Sequence, residues 1–289
     1  MAGTLYLVGT PIGNLGDVTD RARQTLAAVD LVAAEDTRRT GRLLAGLGVK
    51  ARMLSFFEGN EAERIPEILR VLAEGSDVAV VSDAGMPGLS DPGYRLVAAC
   101  VKEGIEVDVI PGPSAVVSAL VVSGLPTDRF VFEGFLPRSG KSRSQRLEGL
   151  AGEARTIVLF ESPRRVKSTL SDLLAACGDR RVAVVRELTK LHQEVIRGSL
   201  SEVMEQLGRR ELKGEVVLVV EGKSRQTTVD ETEAVRLAES LVQGGARKRD
   251  AARGASELTG VPAGKIYDGL VRPPSERTEG GSSDTDETG

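Results

Sequence analysis

Residues 78–93 read VAVVSDAGMPGLSDPG. Val78 to Val81 form a short run of small and β-branched apolar residues, the pattern of a buried strand. They run straight into Ser82, Asp83, Gly85, Pro87, Gly88, Ser90, Asp91, Pro92 and Gly93, and a helical pattern resumes at Tyr94. Three glycines let the backbone take positive φ or pass close to a ligand, while two prolines withdraw donors and stiffen the turns. An ordinary strand-to-helix connection is the plain alternative, but the eleven residues from Asp83 to Gly93 are denser in Gly, Pro, Asp and Ser than a connection needs. In open α/β sheets, small molecules bind just outside the carboxyl ends of strands, where this loop must lie. A ligand cleft is therefore expected here.

The same rhythm extends to both sides. Thr4 to Val8 is a strand opening into GTPIGN at Gly9 to Asn14, and Thr19 is placed to cap a helix running to Val29. GTPIGN is neither GxGxxG nor part of a P-loop, which disfavours a nicotinamide dehydrogenase and a nucleotide-phosphate site. Leu31 to Ala34 and Met53 to Phe56 read as strands. The charged stretch Glu35 to Arg39 is either a solvated helix start or a polar cleft wall. Val107 to Ile110 leads through the rigid turn Pro111-Gly112-Pro113-Ser114 into a small-residue helix, Ala115 to Val122. Strands alternating with helices imply a largely parallel sheet. The pattern restarts beyond Pro126 with strands at Phe130 to Phe135, Thr156 to Phe160, Arg181 to Arg186, Glu194 to Gly198 and Lys213 to Glu221. Pro163 is read as opening a helix. Arg138, Lys141, Arg143 and Arg146 come without an intervening acid and suit either phosphate contacts or plain solvation.

The expected domains are 1–112, 113–225, a helical appendage over 230–272 and a disordered acidic tail over 273–289. Three short helices with tight turns and the cluster Arg247, Lys248, Arg249 and Arg253 would suit a small helix-turn-helix unit or a dimerising appendage. The net charge of -4 is matched by the tail, whose acids outnumber its single Arg277, so the body is neutral and any basic surface is local. Aromatics are only 3%, so the core must rest on Val, Leu and Ala. Cys100 and Cys177 sit in separate apolar helical patterns and His192 is the one histidine, so neither a disulfide nor a metal site is expected. With no long apolar run and no basic start followed by an apolar stretch, a soluble cytoplasmic protein is expected.

GTPIGNLGD, EDTRRT, SFFEGNE, SDAGMPGLSDPG, VIPGPSA, FEGFLPR, FESPRR and RELTKLHQE, in this order over residues 4 to 222, resemble the signature blocks of the ribosomal RNA small subunit methyltransferase I family of the tetrapyrrole methylase superfamily. The resemblance implies an α/β, two-domain tetrapyrrole-methylase-like fold with the cofactor cleft between the domains, plus a small helix-turn-helix-like C-terminal unit. It implies S-adenosylmethionine-dependent methylation of a cytidine ribose 2′-hydroxyl in the decoding region of 16S rRNA, within the 30S subunit, by a homodimer with no membrane association. Cofactor contacts would come from Pro11, Asp83, Gly85, Met86, Pro87, Ser90, Asp91, Pro113, Ser114, Ala115 and Glu161. Glu187, Lys190 and Glu161 are the candidates to assist the hydroxyl, with an ion pair that merely fixes the loop as the alternative for Glu187. RNA contacts would come from Arg138, Lys141, Arg143, Arg146, Arg164, Arg165, Arg247, Lys248 and Arg249. Relatives commonly have a histidine where Phe57 stands, which argues against a catalytic histidine at that place. A small-molecule methylase and a ligand-sensing nucleic-acid-binding regulator are the rival readings.

Overall fold

The structure, a computed structural model, describes residues 2–223 and 231–271. The chain divides into two compact units, Met1–Lys223 and Ser224–Gly289. The expected acidic tail lies outside the described residues.

The first unit opens with β1 (Leu5–Val8), α1 (Asp20–Ala28), β2 (Leu31–Ala34), α2 (Thr37–Gly46), β3 (Met53–Ser55), α3 (Glu61–Ala73), β4 (Val78–Val81), α4 (Tyr94–Lys102) and β5 (Val107–Ile110). Thr19 caps α1 through a hydrogen bond from Ala22 N at 3.1 Å, and Asp36 caps α2 through the amides of Arg38 and Arg39. The strands form one parallel sheet in the order β3-β2-β4-β1-β5. Alternate residues of each strand face opposite sides. Leu5, Ala33, Val78 and Val80 pack with Ile68 and Leu72 of α3 and Leu96 of α4, while Val8, Val32, Ala79 and Val81 pack with Leu26 and Leu44 of α1 and α2. Burial pushes the Cys100 thiol, inside this core, up to about 11.

The chain continues with α5 (Ala115–Ser123), β6 (Phe130–Phe135), α6 (Lys141–Ala151), β7 (Thr156–Glu161), α7 (Val166–Cys177), β8 (Arg181–Arg186), β9 (Glu194–Ser199), α8 (Leu200–Leu207) and β10 (Val216–Val220). These five strands run β6-β7-β10-β8-β9. Only β6 and β7 are parallel; the other three pairings are antiparallel, which corrects the expectation of a parallel sheet for this half. The short connection from β8 to β9 allows only a hairpin, and β10 returns between two strands that point the other way. Helix α5 packs on one face, with Val116, Ala119 and Leu120 against Val158, Ala183 and Val217, and Ile12 of the first loop joins that cluster. Helices α6, α7 and α8 cover the other face. Pro163 does not open α7: Ser162 to Arg165 form a turn, with Arg165 N bonded to Ser162 O at 2.9 Å, and the helix starts at Val166.

In the second unit, α9 (Glu231–Gln243), α10 (Lys248–Thr259) and α11 (Ala263–Val271) pack through small side chains, Ala234, Ala238, Ala251, Ala252 and Ala255, closed by Ile266 and Leu270. Arg247, Lys248 and Arg249 are exposed, and Lys248 Nζ also ties α10 to α11 through Leu270 O at 3.1 Å.

Gly9 follows β1 with no room for a side chain: a Cβ there would lie 2.7 Å from Gly112 N and Cα and 2.7 Å from Met86 Sδ. Backbone cannot yield as a flexible side chain can. Gly9→Ala should lower the unfolding free energy by about 1–3 kcal/mol, read from the denaturant midpoint; an unchanged midpoint would mean that the β1 and β5 loops can part.

Candidate active site

Because β4, β1 and β5 are parallel neighbours, their carboxyl ends deliver three Gly/Pro-rich loops side by side. They interlock. Thr10 and Gly85 exchange both backbone hydrogen bonds, at 2.9 and 3.1 Å, and Thr10 Oγ1 donates to Ser82 O at 3.2 Å. Gly85 and Gly88 both have φ 84°, Gly93 has φ 137°, and Ser90 is held at φ 63° between them. A buried carboxylate from α3 pins the far end of this loop, with Gly93 N donating to Glu61 Oε1 at 3.1 Å. At the near end Asp83 N donates to Glu35 Oε2 at 3.0 Å, and the Asp83 carboxylate pairs with Arg39 at 3.1 Å. The charged stretch after β2 is thus both a capped helix start and a polar wall behind the loop.

A cleft of about 350 Å³ opens between these loops and the second sheet. One wall is Ile12, Gly85, Met86, Leu89, Ser90 and Asp91; the start of α5 supplies Ser114 to Val116. The facing wall is Phe135, Phe160, Glu161, Ser162 and Pro163, with Val185, Leu188 and Gly214 to Val217 beyond them. Phe135 and Phe132 both contact the Phe160 ring, at centroid distances of 5.6 and 4.9 Å. The cleft is largely apolar with a few acidic groups at its margin, the usual make-up of a small-molecule site.

Of the cofactor residues expected from the sequence, Gly85, Met86, Ser90, Asp91, Ser114, Ala115 and Glu161 line this cleft; Pro11, Asp83, Pro87 and Pro113 do not. Asp83 turns instead to Arg39, with its Oδ1 buried and unbonded. Phe135, Phe160, Leu188 and Glu215 were not foreseen. FEGFLPR, FESPRR and RELTKLHQE signalled the first three, whereas nothing in the sequence singles out Glu215.

Three arrangements set the electrostatics. Asp91 is pushed up to about 6, first by burial and then by the nearby charge of Glu35, with the Ser82 hydroxyl opposing and Asp83 adding to the rise. Lys190 Nζ bridges Glu187 at 2.8 Å and Glu215 at 3.0 Å. Burial lowers the Lys190 ammonium, but these hydrogen bonds carry it above the usual lysine range, while the Lys190 contact holds the Glu187 carboxyl below its own. Glu187 Oε1 also takes the Glu215 amide at 2.9 Å, and Glu187 and Thr189 adopt positive φ of 51° and 63°, so the pair clamps a strained loop. Glu161 accepts from Ser162 N at 2.7 Å, Arg165 Nε at 2.7 Å and Thr169 Oγ1 at 2.6 Å, which fixes the Ser162-Pro163 turn at the cleft wall.

The basic residues separate sharply. Arg138, Lys141 and Arg164 are exposed, whereas Arg146 reaches Glu133 at 3.2 Å and Arg165 is held by Glu161 and Leu136 O. Arg143 leaves the set of candidate RNA contacts: it is buried, and its guanidinium serves Asp172, Thr169 Oγ1 and Pro137 O. His192 is exposed on the β8–β9 connection. Among the described residues no group of His, Cys, Asp and Glu could hold a metal ion, and no helix is long and apolar enough to cross a membrane.

Residues 4–204 match the Tetrapyrrole (Corrin/Porphyrin) Methylases family. Ribosomal RNA small subunit methyltransferase I of Thermotoga maritima is 56% identical over 221 residues, covering 76% of this chain and 99% of that protein. The chain belongs to this methyltransferase family. Its members from Synechocystis sp. and Halalkalibacterium halodurans are 46% and 44% identical, each over 92% of this chain and over 96% and 93% of their own length. Solved structures of a cobalt precorrin-4 methyltransferase (TM-score 0.56, 19% identity, 75% of this chain and 94% of that one) and of uroporphyrin-III-C-methyltransferase from Thermus thermophilus (TM-score 0.52, 24%, 76% and 94%) share the fold.

The burial of Arg143 gives a direct test. Arg143→Ala should lower unfolding free energy by about 2 kcal/mol, the scale of a hydrogen bond to a charged group, and leave the salt dependence of RNA binding as in the unsubstituted protein. A flatter salt dependence would return Arg143 to the surface.

Proposed function

We propose that this chain transfers a methyl group from S-adenosylmethionine to the ribose 2′-hydroxyl of a cytidine in the decoding region of 16S rRNA, acting as a homodimer on the 30S subunit. The observation that carries the reading is an interlocked three-loop cleft in a chain up to 56% identical to proteins named for small-subunit rRNA methylation. The cleft residues fit such a cofactor. Apolar walls suit its carbon framework, Gly85 and Gly214 expose bare backbone in the lining, and an acidic margin favours a ligand bearing positive charge. When bound, S-adenosylmethionine supplies an electrophilic methyl group on a sulfonium.

The chain's own residues then have separable tasks. The Gly85-to-Asp91 loop and Ser114-Ala115 hold the ligand; Phe135 and Phe160 exclude water from one side. Asp91 is anionic above about pH 6 and favours bound cationic charge. Lys190 stays protonated between Glu187 and Glu215 and is no base; its remaining N–H donates to a hydroxyl at the rim and eases the negative charge developing there, while the hydroxyl's proton passes to solvent water. Glu161 is a positioning residue for the Ser162-Pro163 wall.

Labelled methyl supplied as S-adenosylmethionine to 30S subunits lacking decoding-region modifications should appear on a cytidine ribose when the nucleotide is mapped. Cofactor binding without transfer to 30S, free 16S rRNA or tRNA would favour a small-molecule methylase. A second expectation concerns pH. Free Asp91 keeps its proton in the folded state up to about 6 while the unfolded chain releases it at its ordinary value of 3.8, so the fold loses stability as pH rises from there to about 6, and the full cost persists above. A bound cation relieves this. Cofactor affinity measured by calorimetry should therefore rise as pH climbs through about 6, and Asp91→Asn should flatten the profile; a pH-independent wild-type affinity would remove Asp91 from the site.

A further inference from the structure

A second groove, of about 700 Å³, adjoins the cleft and shares Pro163 and Gly214 with it. Its walls are Arg164 and Lys167, at the entry to α7, and the segment from Arg210 to Gly214 that leads into β10. Leu212 is buried in the second sheet's core, so this segment is anchored rather than loose.

Among the described residues of this half of the unit many guanidiniums are paired with carboxylates, with Arg138 and Lys141 as exposed exceptions outside the groove. Arg143, Arg146, Arg155, Arg165, Arg181 and Arg186 each face a carboxylate within 3.2 Å. In the groove, Arg210 forks onto Glu194 at 2.6 and 2.7 Å and is neutralised. Lys167 Nζ makes one hydrogen bond, to Gly208 O at 2.8 Å, and keeps two donors for other partners. Among the described residues, the side chains of Arg164 and Lys213 have neither an ion pair nor a hydrogen bond, and Glu211 is the one acid lining the groove. Three unneutralised cations thus converge with a single opposing carboxylate, at the mouth of the cleft. An anionic ligand is what such a convergence attracts, and planar guanidinium with mobile ammonium suits phosphate oxygens.

We infer that this groove seats backbone phosphates of the RNA strand next to the nucleotide that enters the cleft, with Arg164 and Lys213 as the principal contacts and Lys167 in support. The inference rests on the rRNA reading above and specifies where the strand runs. It also explains why phosphate-binding residues lie on two separated stretches of sequence: the turn after β7 and the approach to β10 meet because those strands are neighbours in the sheet.

The test is binding of a decoding-region RNA oligonucleotide by fluorescence anisotropy over a salt series, with R164A/K213A beside the unsubstituted protein. Each lost contact to a single strand flattens the log–log salt slope by about 0.7. The double variant should lose about 1.4 from the slope and at least about tenfold in affinity at low salt, with S-adenosylmethionine affinity retained. If the double variant loses the cofactor as well, the single variants R164A and K213A, each expected to lose about 0.7 from the slope, decide the matter. Unchanged slope and affinity alongside intact methyl transfer by the unsubstituted protein would overturn the groove alone. Flattened slopes with no methyl transfer to any RNA by the unsubstituted protein would overturn the functional reading and leave the phosphate groove standing.

Discussion

The reciprocal backbone hydrogen bonds between Thr10 and Gly85, together with the bare contact of Gly9 on Gly112, join the ends of three adjacent strands into one platform. Separate loops of this length would each lose ordering entropy on meeting a ligand. Locked together, they present Gly85 to Asp91 and Ser114 to Val116 already in place. The glycines are required by this geometry: Gly85 needs positive φ, and Gly9 needs to have no side chain at all. Ile12, on the first of these loops, reaches into the apolar cluster of α5 and the second sheet, so the platform and the facing wall are braced by the same packing that builds the fold.

Carboxylates hold the platform from behind. Glu61 takes the Gly93 amide and Glu35 the Asp83 amide, one at each end of the central loop. Each substitutes for a backbone partner that an irregular loop lacks, and a buried amide left without one would be costly. Burial raises Asp91 first, and the charges of Glu35 and, more weakly, Asp83 add to the rise. Arg39 balances Asp83 from the α2 side. Structural acids and a cleft-facing acid are therefore coupled, and the loop's anchoring sets the charge that its cleft-facing side displays.

Much of this was legible in the sequence, for identifiable reasons. Among the described residues all ten strands are legible because short Val-, Leu- and Ala-rich runs such as Val78 to Val81 are bounded by turn residues, and Thr19, Ser114 and the Gly/Pro loops mark element ends plainly. Helix α8 was missed although Ser199 and Glu202 form a capping box, because its eight residues carry too few turns of periodicity to stand out. Strand direction in the second sheet was misjudged, since alternation of elements does not say which strand β10 will insert between. At the site, local signals found the loops but not their partners. Arg143 and Arg164 look alike in a sequence; only the packing of α6 against α7 buries the first beneath Asp172 and Thr169 and leaves the second exposed beside the cleft. Glu215 lacks any motif of its own and matters through Lys190, which lies on another strand's loop.

The Thermotoga maritima relative bears on how the work is divided. Alignment to 76% of this chain spans 99% of that protein, so about a quarter of this chain has no counterpart in it. The family match itself stops at residue 204, and the cleft, the clamp of Glu187 and Lys190 and the basic groove all fall within Met1–Lys223. Everything to which the proposed chemistry has been assigned is therefore complete without the three C-terminal helices. Those helices have their own alanine-rich core and expose Arg247, Lys248 and Arg249, a make-up that suits an electrostatic contact with a polyanion. On the proposed reading such a unit adds affinity by tethering, through a raised local concentration, and the proposed positioning of the target nucleotide belongs to the cleft and the groove beside it.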